Sequence, residues 1–420
     1  MEVEELVTEI GTYPETWTID RVDSVFDLIQ GKQVSERNRI GDNQRPFLRT
    51  KNVFWNRLEL AELDQMHFSA AEEARYALLP GDLLLCEGGD VGRTAMWRGE
   101  VERCYIQNHL HRLRAFDGMV DPQYAVFWFW YAFNVGNLYI GRGNKTTIPN
   151  MSRSKLAELQ IALPLLPEQQ RIAQVLSTVQ EAIAQQERLI STTTELKQAL
   201  MQKLFTEGLR GETLKETEIG RVPESWEVVK LGEVAKIERG KFAHRPRNDP
   251  RYYDGPYPFI QTGDVSNCDG YVRSHTQSLN ELGLSVSKLF SEGTILITIA
   301  ANIGFTGILT YPAAAPDSLI GLTAGERVTR EYLNYYLITQ QPKMDLLAPR
   351  GTQKNINIEF LKPWPMLLPS LAEQRAIVEA LDAVHGKTKQ HTHKRDALQD
   401  LFRTLLHELM TGKVRVSSLN

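Results

Sequence analysis

Cysteine is scarce in this chain: Cys86, Cys104 and Cys268 are the three, spread over 420 residues. So few, so far apart, give neither a disulfide framework nor a zinc knuckle. Long apolar runs are also missing. The longest, Tyr124 to Phe133, falls well short of the ~18–20 residues that cross a bilayer, so no membrane contact is expected. The opening MEVEELVTEI is acidic, with no basic stretch leading into an apolar one. No secretory signal is read there, and the expected location is the cytoplasm. Positive charge is not in excess either, since 48 Lys and Arg face 52 Asp and Glu for a formal net charge of −4. A lone non-specific nucleic-acid binder is usually basic. Any role on DNA must therefore rest on local patches, or on partners that share the phosphate contacts. What remains is ordinary globular composition, 42% hydrophobic and 24% charged, in a length that suits two or three domains.

The chain repeats itself. Residues 9–32 align without gaps to 218–241, with 9 of 24 positions identical, among them Pro14/Pro223, Trp17/Trp226 and Gly31/Gly240. Residues 163–206 align to 368–411 with 13 of 44 identical, including Pro164/Pro369, Glu168/Glu373 and Gln169/Gln374. Between these blocks the echo is fainter but in order: Gly81-Asp82-Leu83-Leu84 answers Gly293-Thr294-Ile295-Leu296, and Gly92 answers Gly304. A period above 200 residues is far too long for a solenoid unit. It marks a duplicated domain followed each time by a helix.

Strand-like runs such as Leu83–Cys86 and Thr294–Ile299, punctuated by Gly and Pro, predict a mixed domain. Each then leads into a heptad pattern. One seam carries Ile172, Val179, Gln186, Thr193 and Leu200, with Leu176, Ile183, Ile190, Lys197 and Leu204 beside it. The second helix matches this with Ile377, Val384, His391, Leu398 and Leu405, and with Leu381, Thr388, Arg395, Phe402 and Leu409. Both seams are apolar at the ends and polar in the middle, and a polar seam residue fixes register at some expense of stability. Forty residues make a rod of roughly 60 Å, with Gly208 and Gly412 as stops. The expected fold class is α+β: two tandem-repeated mixed α/β domains joined by two long helices that form an antiparallel coiled coil with pseudo-two-fold symmetry. The expected boundaries are a first domain over 1–162, a first helix over 163–207, a linker and second domain over 208–367, a second helix over 368–412 and a tail over 413–420.

Chemistry of a catalytic kind is not legible. GRGNKTT (141–147) has Asn144 where a phosphate loop needs its second glycine, and CEGGDVGR (86–93) lacks the strand–helix frame of a dinucleotide site. NDPRYYD (248–254) reads as a turn with exposed tyrosines. His109/His111 and His391/His393 have no third ligand in sight, so no metal is expected. Basic clusters in loop-like stretches are what the sequence offers instead. The first repeat has Arg37, Arg39, Arg45, Arg49 and Lys51, then Arg142, Lys145, Arg153 and Lys155. The second has Arg239, Lys241, Arg245, Arg247 and Arg251 beside Tyr252 and Tyr253, then Arg350 and Lys354. Amides are interspersed as Asn43, Gln44, Asn144, Gln353 and Asn355. Arg and Lys attract phosphate, and Arg to guanine or Asn/Gln to adenine are the pairings that read base edges. Recurrence of the clusters in both halves, rather than any single residue, is what points to DNA.

With these features in order twice over, the chain resembles the DNA-specificity subunit of type I restriction–modification systems. The resemblance rests on the P-E-x-W segments Pro14–Trp17 and Pro223–Trp226, the Gly81-Asp82-Leu83-Leu84 segment, the P-x-x-x-E-Q helix starts at Pro164 and Pro369, and the ending LMTGKVRV (409–416). It implies a non-catalytic subunit whose two globular halves are target-recognition domains, each reading one half of an asymmetric, bipartite site in double-stranded DNA. It implies helices that space the half-sites and dock two modification (methyltransferase) subunits, on which S-adenosylmethionine binds, with restriction/translocase subunits joining them. The rival readings are a helical protein-interaction scaffold without DNA recognition and a self-sufficient methyltransferase or nuclease. For the latter no motif is present.

Overall fold

The computed structural model describes residues 5–139, 150–244, 247–300, 302–349 and 354–416. The chain gathers into two units, Met1–Glu187 with Thr392–Asn420, and Arg188–His391. Each unit contains one mixed domain and a half of each long helix.

In the first unit an antiparallel hairpin, Glu5–Thr8 with Gly11–Pro14, leads to strand Thr18–Arg21, which pairs with Gln160–Leu163. The main sheet is antiparallel, in the order Thr94–Met96, Leu83–Cys86, Leu110–Ala115, Phe26–Gln30. A small sheet sets Gln44–Leu48 between Tyr105–Ile106 and Asp64–His67. The apolar run noted above becomes the helix Pro122–Trp130, continued by a π-turn over Tyr131–Val135. Asp121 caps it by accepting the Tyr124 amide at 2.8 Å, and Pro122 fits the first turn, where its missing N–H has no partner to lose. Tyr124 through Phe129 are all inaccessible to solvent, which is why this helix is apolar all round. No helix among the described residues is long and apolar enough to cross a membrane.

The second unit repeats the plan. Hairpin Leu214–Thr217 with Gly220–Pro223 leads to strand Glu227–Lys230, paired with Pro365–Leu368. The main sheet runs Ala235–Arg239, Leu319–Ala324, Ile295–Thr298, Thr306–Leu309, in the same order as its counterpart, with Tyr271–Val272 added at the edge. The small sheet is Gln277–Leu279, Tyr253–Phe259, Ala313–Ala315, Lys288–Phe290. Helix Arg330–Leu347 packs as Pro122–Trp130 does. Tyr332 donates its hydroxyl to the Leu367 carbonyl at 3.1 Å, as Tyr124 does to Ala162 at 2.7 Å.

The long helices are Leu166–Glu207 and Leu371–Met410. Both start three residues later than the expected 163 and 368. Leu163 and Leu368 each precede a proline, whose ring drives the preceding residue out of the helical region, and both end a strand instead. Gly208 and Gly412, at φ +68° and +67°, stop the helices in the left-handed conformation that glycine takes without a Cβ clash. In the first unit Ile172 and Leu176 share a core with Phe402, Leu406, Leu409 and Met410. In the second, Met201, Leu204 and Phe205 share one with Ile377 and Leu381. Early residues of one helix meet late residues of the other, so the two are antiparallel. Toward the middle the seam turns polar, with Gln186 only 4% exposed.

Candidate nucleic-acid interface

The expected contact residues fall in several places. Arg142, Asn144, Lys145, Arg245, Arg350 and Gln353 lie outside the described residues. Arg37 and Arg39 belong to the short helix Glu36–Arg39, which Ser35 caps. Gln44 donates its amide back to the Arg39 and Gly41 carbonyls.

Asn43 and Arg45 turn inward. Asn43 donates to the Phe68 carbonyl and to Glu73, and Arg45 and Arg103 bind the same carboxylate at 2.8 and 2.6 Å. These donors, Arg103 foremost, hold the Glu73 carboxyl down at about 2. Lys51 shares Asp64 with Arg49, at 3.5 and 2.7 Å, and the Arg49 hydrogen bond lowers that carboxyl too. A guanidinium shared with a carboxylate keeps spare N–H groups, whereas the Asn43 amide has spent both of its own.

In the second unit Arg247, Arg251 and Tyr252 lie together in the loop that leads into Tyr253, the first residue of its strand. Arg251 binds Asp249, whose side chain also caps the turn Pro250–Tyr252. That bond holds the Asp249 carboxyl well below the usual range. Arg247 pairs with Asp317, and the Tyr253 hydroxyl donates to the Arg247 carbonyl. The two tyrosines are half-buried rather than exposed, because both pack on the buried ring of Phe242, at 6.2 and 5.9 Å between centroids. Lys241 keeps an exposed side chain while its amide bonds the Ala315 carbonyl. Lys354 pairs with Asp345 at 2.8 Å, and Asn355 bridges to Ala300.

The histidines of interest lie elsewhere. His111 is buried, its Nε2 at 2.7 Å from the Met151 carbonyl, and burial lowers its pKa. His109 stands at the surface near Glu87.

Sequence reasoning missed two features. One is a concavity in the second unit edged by Arg247, Asp254 and Gln277, which only strand pairing brings together. The other is the meaning of the E-Q pair at each helix start. Glu168 takes a two-pronged bond from Arg415, at 2.7 and 2.8 Å, and the equivalent Glu373 accepts the Leu209 amide with Arg210 beside it at 3.7 Å. The end of each helix is thus tied to the start of the other. The repetition of the E-Q pair was the available signal.

A duplicated mixed domain, carried twice on one antiparallel helix pair and presenting different charged loops each time, defines a two-headed recognition subunit. The family model described as the type I restriction modification DNA specificity domain matches residues 14–193 and again 223–400, and the chain belongs to that family, as a specificity subunit of type I restriction–modification systems. It is 27% identical to the putative type I restriction enzyme MjaX specificity subunit of Methanocaldococcus jannaschii, over 98% of this chain and 96% of that one. It shares the fold of the type I restriction–modification S subunit from M. genitalium, with a TM-score of 0.56 over 94% of this chain and 96% of that one at 17% identity. A chain from a study of assembly and conformational transition of the type I R-M system gives a TM-score of 0.63 at 19% identity, covering 96% and 99%.

Proposed function

We propose that the chain reads an asymmetric, bipartite site in double-stranded DNA, one half-site per recognition domain. In this reading the helix pair docks two modification subunits, which bind S-adenosylmethionine and methylate adenine, and restriction subunits join that assembly in the cytoplasm. The chain itself performs no chemistry. The observation that carries the reading is that one DNA-specificity domain recurs as two units whose loops differ. Arg39 and Lys51 face one half-site, and Lys241, Arg247, Arg251, Tyr252 and Tyr253 the other. A net charge of −4 is compatible with this if the modification subunits supply part of the phosphate contacts.

The test is a genome-wide map of N6-methyladenine with the gene intact and deleted. The expected result is a split, asymmetric motif that disappears on deletion. Complex formation with a neighbouring methyltransferase, without any change in that map, refutes the DNA-reading role.

A further inference from the structure

The second unit holds a concavity of about 430 Å³ bounded by buried Phe242 and Phe259 and half-buried Tyr253, with Arg247, Asp254 and Gln277 exposed at its edge. Three observations mark it as a built feature. The strand Tyr253–Phe259 is bulged, with Tyr253 and Tyr257 both opposite Leu279, and Asp254 inside the bulge sits at φ +59°. A non-glycine residue in that region is uncommon, and bulges re-aim the side chains around them. The loop above it is pinned, since Tyr253 donates to the Arg247 carbonyl, Asp249 binds Arg251 and His244, and His244 stacks on Tyr252 at 4.0 Å.

The third observation is the contrast with the first unit. There Phe47 pairs with Tyr105, whose ring stacks on Phe68 at 4.4 Å. In the second unit the same register pairs Phe259 with Ala314, a methyl where the other unit has a phenol. Gln277 stands directly opposite Phe259, and its amide has no hydrogen-bond partner among the described residues.

An unengaged amide beside a hollow floored by the Phe242 and Phe259 rings, with Arg247, Asn248, Asp254 and Gln261 around it, matches the major-groove edge of an A·T pair. The amide can accept from adenine N6 and donate to N7, and the thymine C5-methyl needs an apolar seat. We propose that Gln277 reads an adenine in the half-site of the second recognition domain, with the paired thymine's methyl group received by the hollow at Phe259. Arg247, held by Asp317, fixes the register against a neighbouring phosphate. This rests on the DNA-reading function proposed above.

The experiment uses the full complex with its modification subunits and DNA carrying randomised half-sites, read by sequencing methylated products. Gln277 is exposed, so Gln277→Ala and Gln277→Glu leave the fold intact. Gln277→Ala is expected to weaken the A·T preference at one position of one half-site by roughly fivefold to a hundredfold, leaving the other half-site unchanged. Gln277→Glu is expected to shift that position toward cytosine, whose N4 is a donor. Uracil in place of that thymine, which deletes only the methyl, is expected to slow methylation by the unaltered complex. A split motif that is identical for Gln277→Ala and the unaltered chain overturns the assignment of Gln277 alone. An unaltered complex that methylates without a split motif overturns the function on which it rests.

Discussion

Replacing Gln169 or Gln374 by leucine probes what holds each recognition domain to its helix. Both glutamines lie in the first turn of a long helix and are 1% and 0% exposed. Gln169 accepts the Asp121 amide at 2.8 Å and donates to the Pro164 and Met119 carbonyls at 2.9 and 3.2 Å. Gln374 accepts the Thr329 amide at 2.8 Å and donates to the Arg327 and Pro369 carbonyls, each at 3.0 Å. Leucine keeps the volume and leaves three backbone groups without partners. Each such group costs about 1–3 kcal/mol when it stays dry. Met119 and Arg327 lie at the surface, where their carbonyls can turn to water, so the expected loss is about 3–5 kcal/mol in either unit. At ~2–4 °C per kcal/mol for a domain of this size, the unit's melting midpoint falls by roughly 10 °C. Urea titration with peptide-resolved hydrogen exchange reads this and assigns it to a unit: Gln169→Leu loosens the first, Gln374→Leu the second. A loss below about 1 kcal/mol, or equal loosening of both units by one substitution, refutes the argument.

Glu73 has its carboxyl held at about 2, so its contribution is fully present above the usual carboxylate value and is lost as pH falls from there toward 2. Hydrogen exchange of residues 43–49 and 64–76 on acidification should show loosening in that window, which Glu73→Gln removes. Burial pushes Cys86 up to about 11 and Cys104 up to about 12, so neither thiol should alkylate at pH 8 in the folded chain, while both react in urea; rapid labelling of the native protein contradicts this. Phe402→Ala removes a ring packed on Phe127 and Trp130 at 6.0 and 5.0 Å and should cost about 3–5 kcal/mol in the first unit. Lys197→Ala, at the equivalent position in the second unit, should cost no more than about 1 kcal/mol, the worth of its contact over the Tyr335 ring. Equal losses would sink that comparison.

The architecture was legible because long-period repetition and heptads survive in one sequence. Ile172, Leu176, Leu204, Ile377, Leu381 and Leu409, all assigned to the seam from spacing, are buried. The block alignment sets boundaries at 163 and 368, three residues before the helices begin, because proline holds the residue before it out of the helix. At the candidate interface the sequence shows which residues are basic but not which carboxylate each one meets. Glu73 lies 28 residues from Arg45 and Asp317 lies 70 from Arg247, and only folding sets such pairs. Gln277 carried no signal, since its significance comes from standing opposite Phe259 in a bulged pair.

The pattern of what recurs between the halves has a physical reason. Gln169 and Gln374 bond backbone groups, Tyr124 and Tyr332 donate to carbonyls, and a Cβ on Gly31 or Gly240 would strike the carbonyl of Gln107 or Pro316. A side chain whose partner is backbone cannot be exchanged for another type by changing its neighbour, which accounts for the same residues standing at these positions in both halves. Several positions whose partners are side chains differ between the halves together with those partners. Where the first unit sets Phe402 among Phe127 and Trp130 and lets Asn56 donate to Gln180 at 2.6 Å, the second has Lys197 over Tyr335 and His385 3.7 Å from Asp269. Tyr335 in turn donates to Asp382, and Asp269 also binds Lys389 and Arg273. Burial lowers the pKa of Lys197, which is the expense of carrying an ammonium where the other unit carries the Phe402 ring, and burial also lowers that of His385, which favours its neutral form. The same contrast reaches the recognition loops: where the first unit has Tyr105 stacked on the side chain of Phe68, the second has Ala314, so two copies of one scaffold present different surfaces.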